Sequence, residues 1–171
     1  MNLYGFAGGD PVNFSDPFGL CPPCRMSDPG LALLAKREGG AQLEIYKDFA
    51  GYQTIGVGHL LRAGEAEKYS NGISASDATA LFKTDVGGLV NPQLDRITAD
   101  LNQNQVDAIG SLIYNAPGAF SKHVLPLLNK GDFAGAKEQM ATINKSGGKV
   151  QDDLTKRRQG EIRQFDKPVS P

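Results

Sequence analysis

Residues 36–61 read KREGGAQLEIYKDFAGYQTIGVGHLL, and the order of the parts in this stretch decides how the chain folds. A helical stretch, GLALLAKRE (30–38), runs into it with Leu31, Leu34 and Ala35 on one face. Ser27 and Asp28 before Pro29 supply a helix start. The helix stops at Glu38, just before Gly39 and Gly40. LEIYKDFAGYQTIGVGHL then alternates, is rich in β-formers and carries turn residues at 49–51, which predicts a β-hairpin. Gly56 and Gly58 would leave the returning strand narrow enough for a helix or a substrate to approach closely.

Downstream the pattern is helical. SASDATALFKTDVGGLV starts at a Ser cap and places Ala78, Leu81, Phe82 and Val86 on a buried stripe. NQNQVDAIGSLIYNA carries Val106, Ile109, Leu112 and Ile113. KHVLPLLNKGDFAGAKEQMATI breaks at Lys130 and Gly131 into two helices, and QDDLTKRRQGEIRQF closes the domain with Leu154, Ile162 and Phe165 as anchors. One early hairpin followed by helices is an α+β plan, a small sheet on a mainly helical bundle.

A chain of 171 residues with 40% hydrophobic content can build one domain with a real core. A net charge of −1 gives no global basic field and disfavours a nucleic-acid role. The basic residues Lys145, Lys149, Lys156, Arg157, Arg158 and Arg163 nevertheless crowd near the C-terminus, among Asp152, Asp153 and Glu161. They make either a solvated helix face or a surface for an anionic polymer. No apolar run nears the roughly 18 residues that span a bilayer, and no signal peptide is visible, so no membrane insertion is expected. Cys21 and Cys24 form CPPC, which cannot complete a four-ligand zinc site alone and sits in a Pro/Gly-rich loop. A linker pair, free or joined as a small disulfide, is the reading adopted here.

Three polar residues around the hairpin can carry chemistry. Glu38 ends an apolar-faced helix, where desolvation can keep a carboxylic acid protonated for use as a general acid. Asp48 lies near the turn, where it would be more solvated and ionised. Two carboxyl groups in such different settings are the pattern that hydrolyses a glycosidic bond. Thr54 on the return strand could hydrogen-bond a water held by Asp48. Spacing alone does not separate this from the ordinary alternative, a helix-terminal Glu and a turn Asp.

The wording around these residues resembles the phage lysozyme family. Ile45, Tyr46, Asp48, Gly51, Thr54, Ile55, Gly56, Gly58 and His59 match its hairpin. LNQNQVDAIGSLIYNAPGAF, LLNKGDFAGAKEQM and INKSGGKVQDDLTKRRQGE are similar to three further blocks in the same order, so the resemblance runs from about Leu31 to Phe165. It implies a lysozyme-like fold and a muramidase that inverts the anomeric centre. Glu38 would be the general acid, Asp48 would orient and activate water, and Thr54 would assist it. His59 would be structural, tied to a nearby carboxylate, and His123 a helix-surface residue. The basic run would partly face the glycan. No metal or organic cofactor is implied. Two departures stand out. Nine residues separate Glu38 from Asp48 where the family has eight, an insertion within 39–41 that a Gly-rich bulge would absorb. Ile143-Asn144-Lys145 replaces Trp-Asn-Lys in a chain with no tryptophan.

Residues 1–30 hold five of the ten prolines and interleave aromatics with turn signals. Within them, NLYGFAGGDPVNFSDPFGL resembles the closing motif of Rhs or YD-repeat cores, matched from Leu3 to Leu20. That resemblance implies a β-cage upstream, a cleavage point after Leu20 with Asp16 as a participant, and a toxin downstream. The expected organisation is a core remnant at 1–20, a linker at 21–29, the catalytic domain at 30–167 and a tail at 168–171. The expected biology is an antibacterial Rhs effector, delivered to a rival's periplasm by a secretion machine such as type VI. Its substrate would be peptidoglycan and its partner a cognate immunity protein.

Overall fold

The computed structural model of this chain describes residues 24–48 and 51–168; the Rhs-like motif, Asp16 and Cys21 lie outside them. The first helix, α1, spans Asp28–Arg37. Ser27 caps it, its Oγ accepting from Gly30 N at 3.0 Å. The same hydroxyl donates to Asp107, whose carboxylate also takes the Ser27 and Gln103 N–H groups. The other end of α1 explains the paired glycines. Gly39 N bonds the Lys36 carbonyl at 3.3 Å and Gly40 N the Ala35 carbonyl at 3.0 Å. Both glycines have positive φ, 95° and 80°. This is a Schellman ending with Glu38 as the C-cap.

Three antiparallel strands follow in the order β1 (Gln42–Lys47), β2 (Gln53–Gly56), β3 (His59–Leu60). The expected hairpin is β1–β2, with Tyr46 opposite Thr54 and an irregularity in register between Gln42 and Tyr46. The glycine helix ending and this irregularity both lie in the segment between Glu38 and Asp48. The third strand was not expected. It forms because Gly56 and Gly58, at φ 64° and 77°, close a short loop that returns His59 opposite Ile55. That corrects the reading of these glycines: their backbone conformation matters, since Gly58 has open space beside it and Gly56 makes only ordinary contact with Ile73 and Ala78.

A short helix, α2 (Glu65–Lys68), leads to α3 (Ala75–Leu94), capped by a reciprocal Ser74–Asp77 box. α3 touches all three strands and the next helix, α4 (Gln103–Asn115), and so links the sheet to the helical part. Ala78, Phe82 and Val86 are buried as expected, and Leu81 is half-buried. Every residue of α4 from Val106 to Ile113 is buried. A helix buried on all sides is the core of its domain, and each fully covered Val, Leu or Ile there contributes about 1.5–3 kcal/mol.

The rest wraps α4. One turn of helix, α5 (Pro117–Ala119), continues into a π turn at Phe120–Val124 and then α6 (Leu125–Leu128). The widened turn, in place of a regular helix, precedes Pro126, which has no N–H to donate to a helical ladder. The break at Lys130 and Gly131 holds, with Gly131 at φ 75° and Asp132 capping α7 (Phe133–Thr142). The expectation of helix alone then fails. Lys145–Ser146 and Lys149–Val150 pair as a hairpin, β4 and β5, around two positive-φ glycines. The last helix, α8 (Asp152–Phe165), packs on α4 and α7, with Phe165 buried and Leu154 and Ile162 half-buried. No described helix is long and apolar enough to cross a membrane.

Candidate active site

Glu38 leaves α1 at its C-cap with a side chain 26% exposed, and its Oε1 lies 2.8 Å from Nη2 of Arg157 on α8. Asp48 follows β1 and shapes the turn. Its N–H donates to the Tyr52 carbonyl at 3.0 Å, its own carbonyl accepts from Gly51 N at 2.9 Å, and its Oδ1 accepts from Tyr52 N at 2.9 Å. Two of the expected turn residues, 49 and 50, lie outside the described residues. Thr54 is buried at 3% exposure, its hydroxyl donating to the Tyr52 carbonyl at 3.1 Å. Asp48 and Thr54 therefore share one turn through Tyr52, while Glu38 is held from the helical side.

Tyr114 of α4 feels the charge of Glu38. Its phenol is pushed up from the ordinary value of 10.0 by burial first, then by the Glu38 and Asp85 carboxylates, with Tyr46 of β1 also facing it. The phenol therefore stays neutral across the physiological range. Its ring meets Phe82 edge to face at 6.0 Å. Tyr46 in turn is the cross-strand partner of Thr54.

His59 is structural, as expected: it is buried, with Nδ1 2.7 Å from Asp85 and Nε2 3.1 Å from Glu65. The Arg62 backbone N–H, His59 and the Arg62 charge hold the Glu65 carboxyl below its ordinary value. His123 is exposed on the π turn. Ile143, in the place of the expected Trp, packs half-buried against the core.

The basic run needs correction. Arg158 is only 1% exposed and the Arg157 side chain 12%, so two of its six cations point inward. Arg157 Nε reaches Glu161 Oε1 at 3.2 Å, and Ser111 donates to the same oxygen at 2.7 Å while accepting from Arg37 at 2.9 Å. Arg158 donates to Asn115 at 2.5 Å. Its Nη1 lies 3.0 Å from Glu161 Oε2 without hydrogen-bond alignment. Burial lowers the Arg37 and Arg158 values, with Glu161 opposing. Sequence reading missed this cluster. Spacing puts 157, 158 and 161 of α8, and 111, 114 and 115 of α4, on one helix face each, but does not say that those faces are buried against each other. Lys145, Lys149, Lys156 and Arg163 remain exposed.

Among the described residues, no group of three or more His, Cys, Asp or Glu is placed to hold a metal ion. An apolar hollow of about 410 Å³ between α1 and α3, lined by Leu31, Ala35, Val57 and Phe82, contains none of the polar groups above.

Known proteins with this arrangement are numerous. The phage lysozyme family matches residues 36–161. The endolysin of Salmonella phage P22 is 35% identical over 140 residues, spanning 80% of this chain and 94% of that protein. That of Bacillus phage PZA is 36% identical over 141 residues, and the match covers 53% of its length. Among solved structures, the muramidase domain of SpmX from Asticaccaulis excentricus superposes with a TM-score of 0.68 at 28% identity, covering 84% of this chain and 99% of that one. A P22 lysozyme mutant gives 0.69 at 30%, covering 83% and 98%. The lysozyme-like fold that the resemblance implied is thereby established, and the chain belongs to the phage lysozyme family, as a glycoside hydrolase.

Proposed function

We propose that this protein is a muramidase that cleaves the β-1,4 bond between N-acetylmuramic acid and N-acetylglucosamine in peptidoglycan. Glu38 donates a proton to the leaving sugar oxygen. Asp48 orients and activates the attacking water, and Thr54 assists from the hairpin. Inversion needs room for that water between the carboxyl groups, roughly 6.5–9.5 Å. The observation that supports this best is the separate anchoring of the two carboxylates. Glu38 is held by Arg157 from the helical side, and Asp48 is locked into the hairpin turn by Tyr52. An acid and a water-holder must keep different settings to do different jobs.

Clearing of purified cell walls, followed by turbidity with the wild type and Glu38→Gln, tests this reading. Clearing by the wild type and loss of at least a hundredfold in the variant is expected. A retained fold that sediments with walls but clears none would instead mark a wall-binding module without activity, the alternative that the extra residue after Glu38 favours.

The Rhs-like motif from Leu3 to Leu20 supports a biological setting as the antibacterial C-terminal toxin of an Rhs protein, with an immunity protein as partner. A phage or prophage endolysin is the second reading, favoured by the named relatives. Co-expression with an upstream cage and measurement of intact mass separates them: a cut after Leu20 supports the toxin, and an uncut chain counts against it.

A further inference from the structure

Glu161 is a carboxylate with no exposed surface, and nothing in the proposed reaction uses it. Its Oε1 holds Arg157 by Nε at 3.2 Å and accepts from Ser111 at 2.7 Å. A second nitrogen of the same guanidinium, Arg157 Nη2, lies 2.8 Å from Glu38 Oε1. One guanidinium is therefore shared by two carboxylates, one half-open and one fully enclosed. The charged and titratable surroundings are these. From α8, Arg157 and Arg158 face Glu161. From α1, Arg37 faces both carboxylates, through Ser111 of α4 in the case of Glu161. From α4, the Tyr114 phenol faces Glu38. Arg163 faces Arg37. Three inner guanidiniums thus stand against two carboxylates.

A cation bonded to a general acid favours the acid's ionised form and works against proton delivery. A second carboxylate on the same cation offsets that pull. We infer that Glu161 is a positioning residue for the reaction: it fixes Arg157 against Glu38, divides the charge of Arg157 between two carboxylates, and so sets the upper pH limit of activity. The inference rests on Glu38 being the general acid.

The test is the pH profile of cell-wall clearing, measured between about pH 4 and 9 on the full chain and its variants. Glu161→Gln keeps the shape of the side chain and removes its charge. Its upper pH limit is expected to move down by about one unit, the scale of one nearby charge. Arg37→Gln removes a cation from the same cluster and is expected to move the limit up, with the double variant returning towards wild type. A Glu161→Gln profile that falls evenly at every pH, with its upper limit in place, overturns the inference and leaves Glu161 a packing residue. If Glu161→Gln does not fold alone, the same comparison is made between Arg37→Gln and the charge-balanced double variant. There a limit lower by about one unit supports the inference, and an equal limit overturns it. Glu38→Gln separates the two failures. Activity retained in that variant overturns the reading of Glu38, whereas activity lost there with an unmoved limit in Glu161→Gln overturns only the role of Glu161.

Discussion

Single residues in this protein often do two jobs, and the conflict shows where a change would hurt. Asp107 steadies the start of α1 through Ser27, its carboxylate accepting from three donors on two residues, the Ser27 hydroxyl and backbone N–H and the Gln103 amide. Gly30 sits against that carboxylate: a Cβ there would lie 2.3 Å from Asp107 Cγ. The carboxylate cannot swing aside without breaking the Ser27 hydrogen bonds that hold the start of α1. Gly30→Ala is therefore expected to destabilise the fold by about 2 kcal/mol or more in urea denaturation, despite alanine's better helix propensity. In the proposed reaction Asp48 would double in the same way, because its Oδ1 also closes the turn through Tyr52 N. The sequence marked Asp48 and Thr54 by their place in a hairpin. It could not show that Tyr52 ties both, since that bond depends on the turn's conformation.

At the scale of elements, side-chain caps mark where α1, α3, α4 and α7 begin. The Ser74–Asp77 box starts α3, the helix that carries Asp85 toward His59. Hydrogen bonds from the Ser74 hydroxyl first, and then from its backbone N–H, hold the Asp77 carboxyl below its ordinary value of 3.8. A depressed carboxylate stabilises the fold above its unfolded value and loses that contribution as pH falls through the folded one. Asp77→Asn is thus expected to lower Tm near neutral pH, with the gap to wild type closing as the pH falls below about 3.8; thermal melts over a pH series check it. The β4–β5 hairpin was legible in principle, because Gly147-Gly148 between two short β-capable pairs is a two-residue turn signal. The neighbouring lysines drew the reading toward a charged helix instead.

Over the whole molecule, charge sorts into an inner and an outer set. Arg37, Arg157 and Arg158 serve the buried cluster, leaving Lys145, Lys149, Lys156 and Arg163 for solvent. Only the outer set can meet an anionic polymer from a distance, and salt screens that attraction within about 10 Å at 0.1 M. Lys145→Ala combined with Lys149→Ala is expected to slow wall clearing a few-fold at low salt and hardly at all at 0.5 M. Rates across a salt series decide it, and an equal slowing at every salt would count against a long-range role.

Local sequence determined the helix ending at Glu38, the hairpin, the Ser caps and the apolar stripes of α3 and α4. Each is a matter of a few neighbouring residues: a φ that only glycine adopts readily, a side chain that bonds its own backbone, a period that matches one face. Tertiary structure alone decided which arginines point inward. Arg157, Arg158 and Glu161 lie on the same α8 as exposed Lys156 and Arg163, and nothing in their composition distinguishes them. What separates them is α4, whose Ser111 and Asn115 meet them across the core, 46–50 residues away in the case of Arg157 and Glu161. A guanidinium's burial is fixed by its partners, and those partners come from elsewhere in the chain.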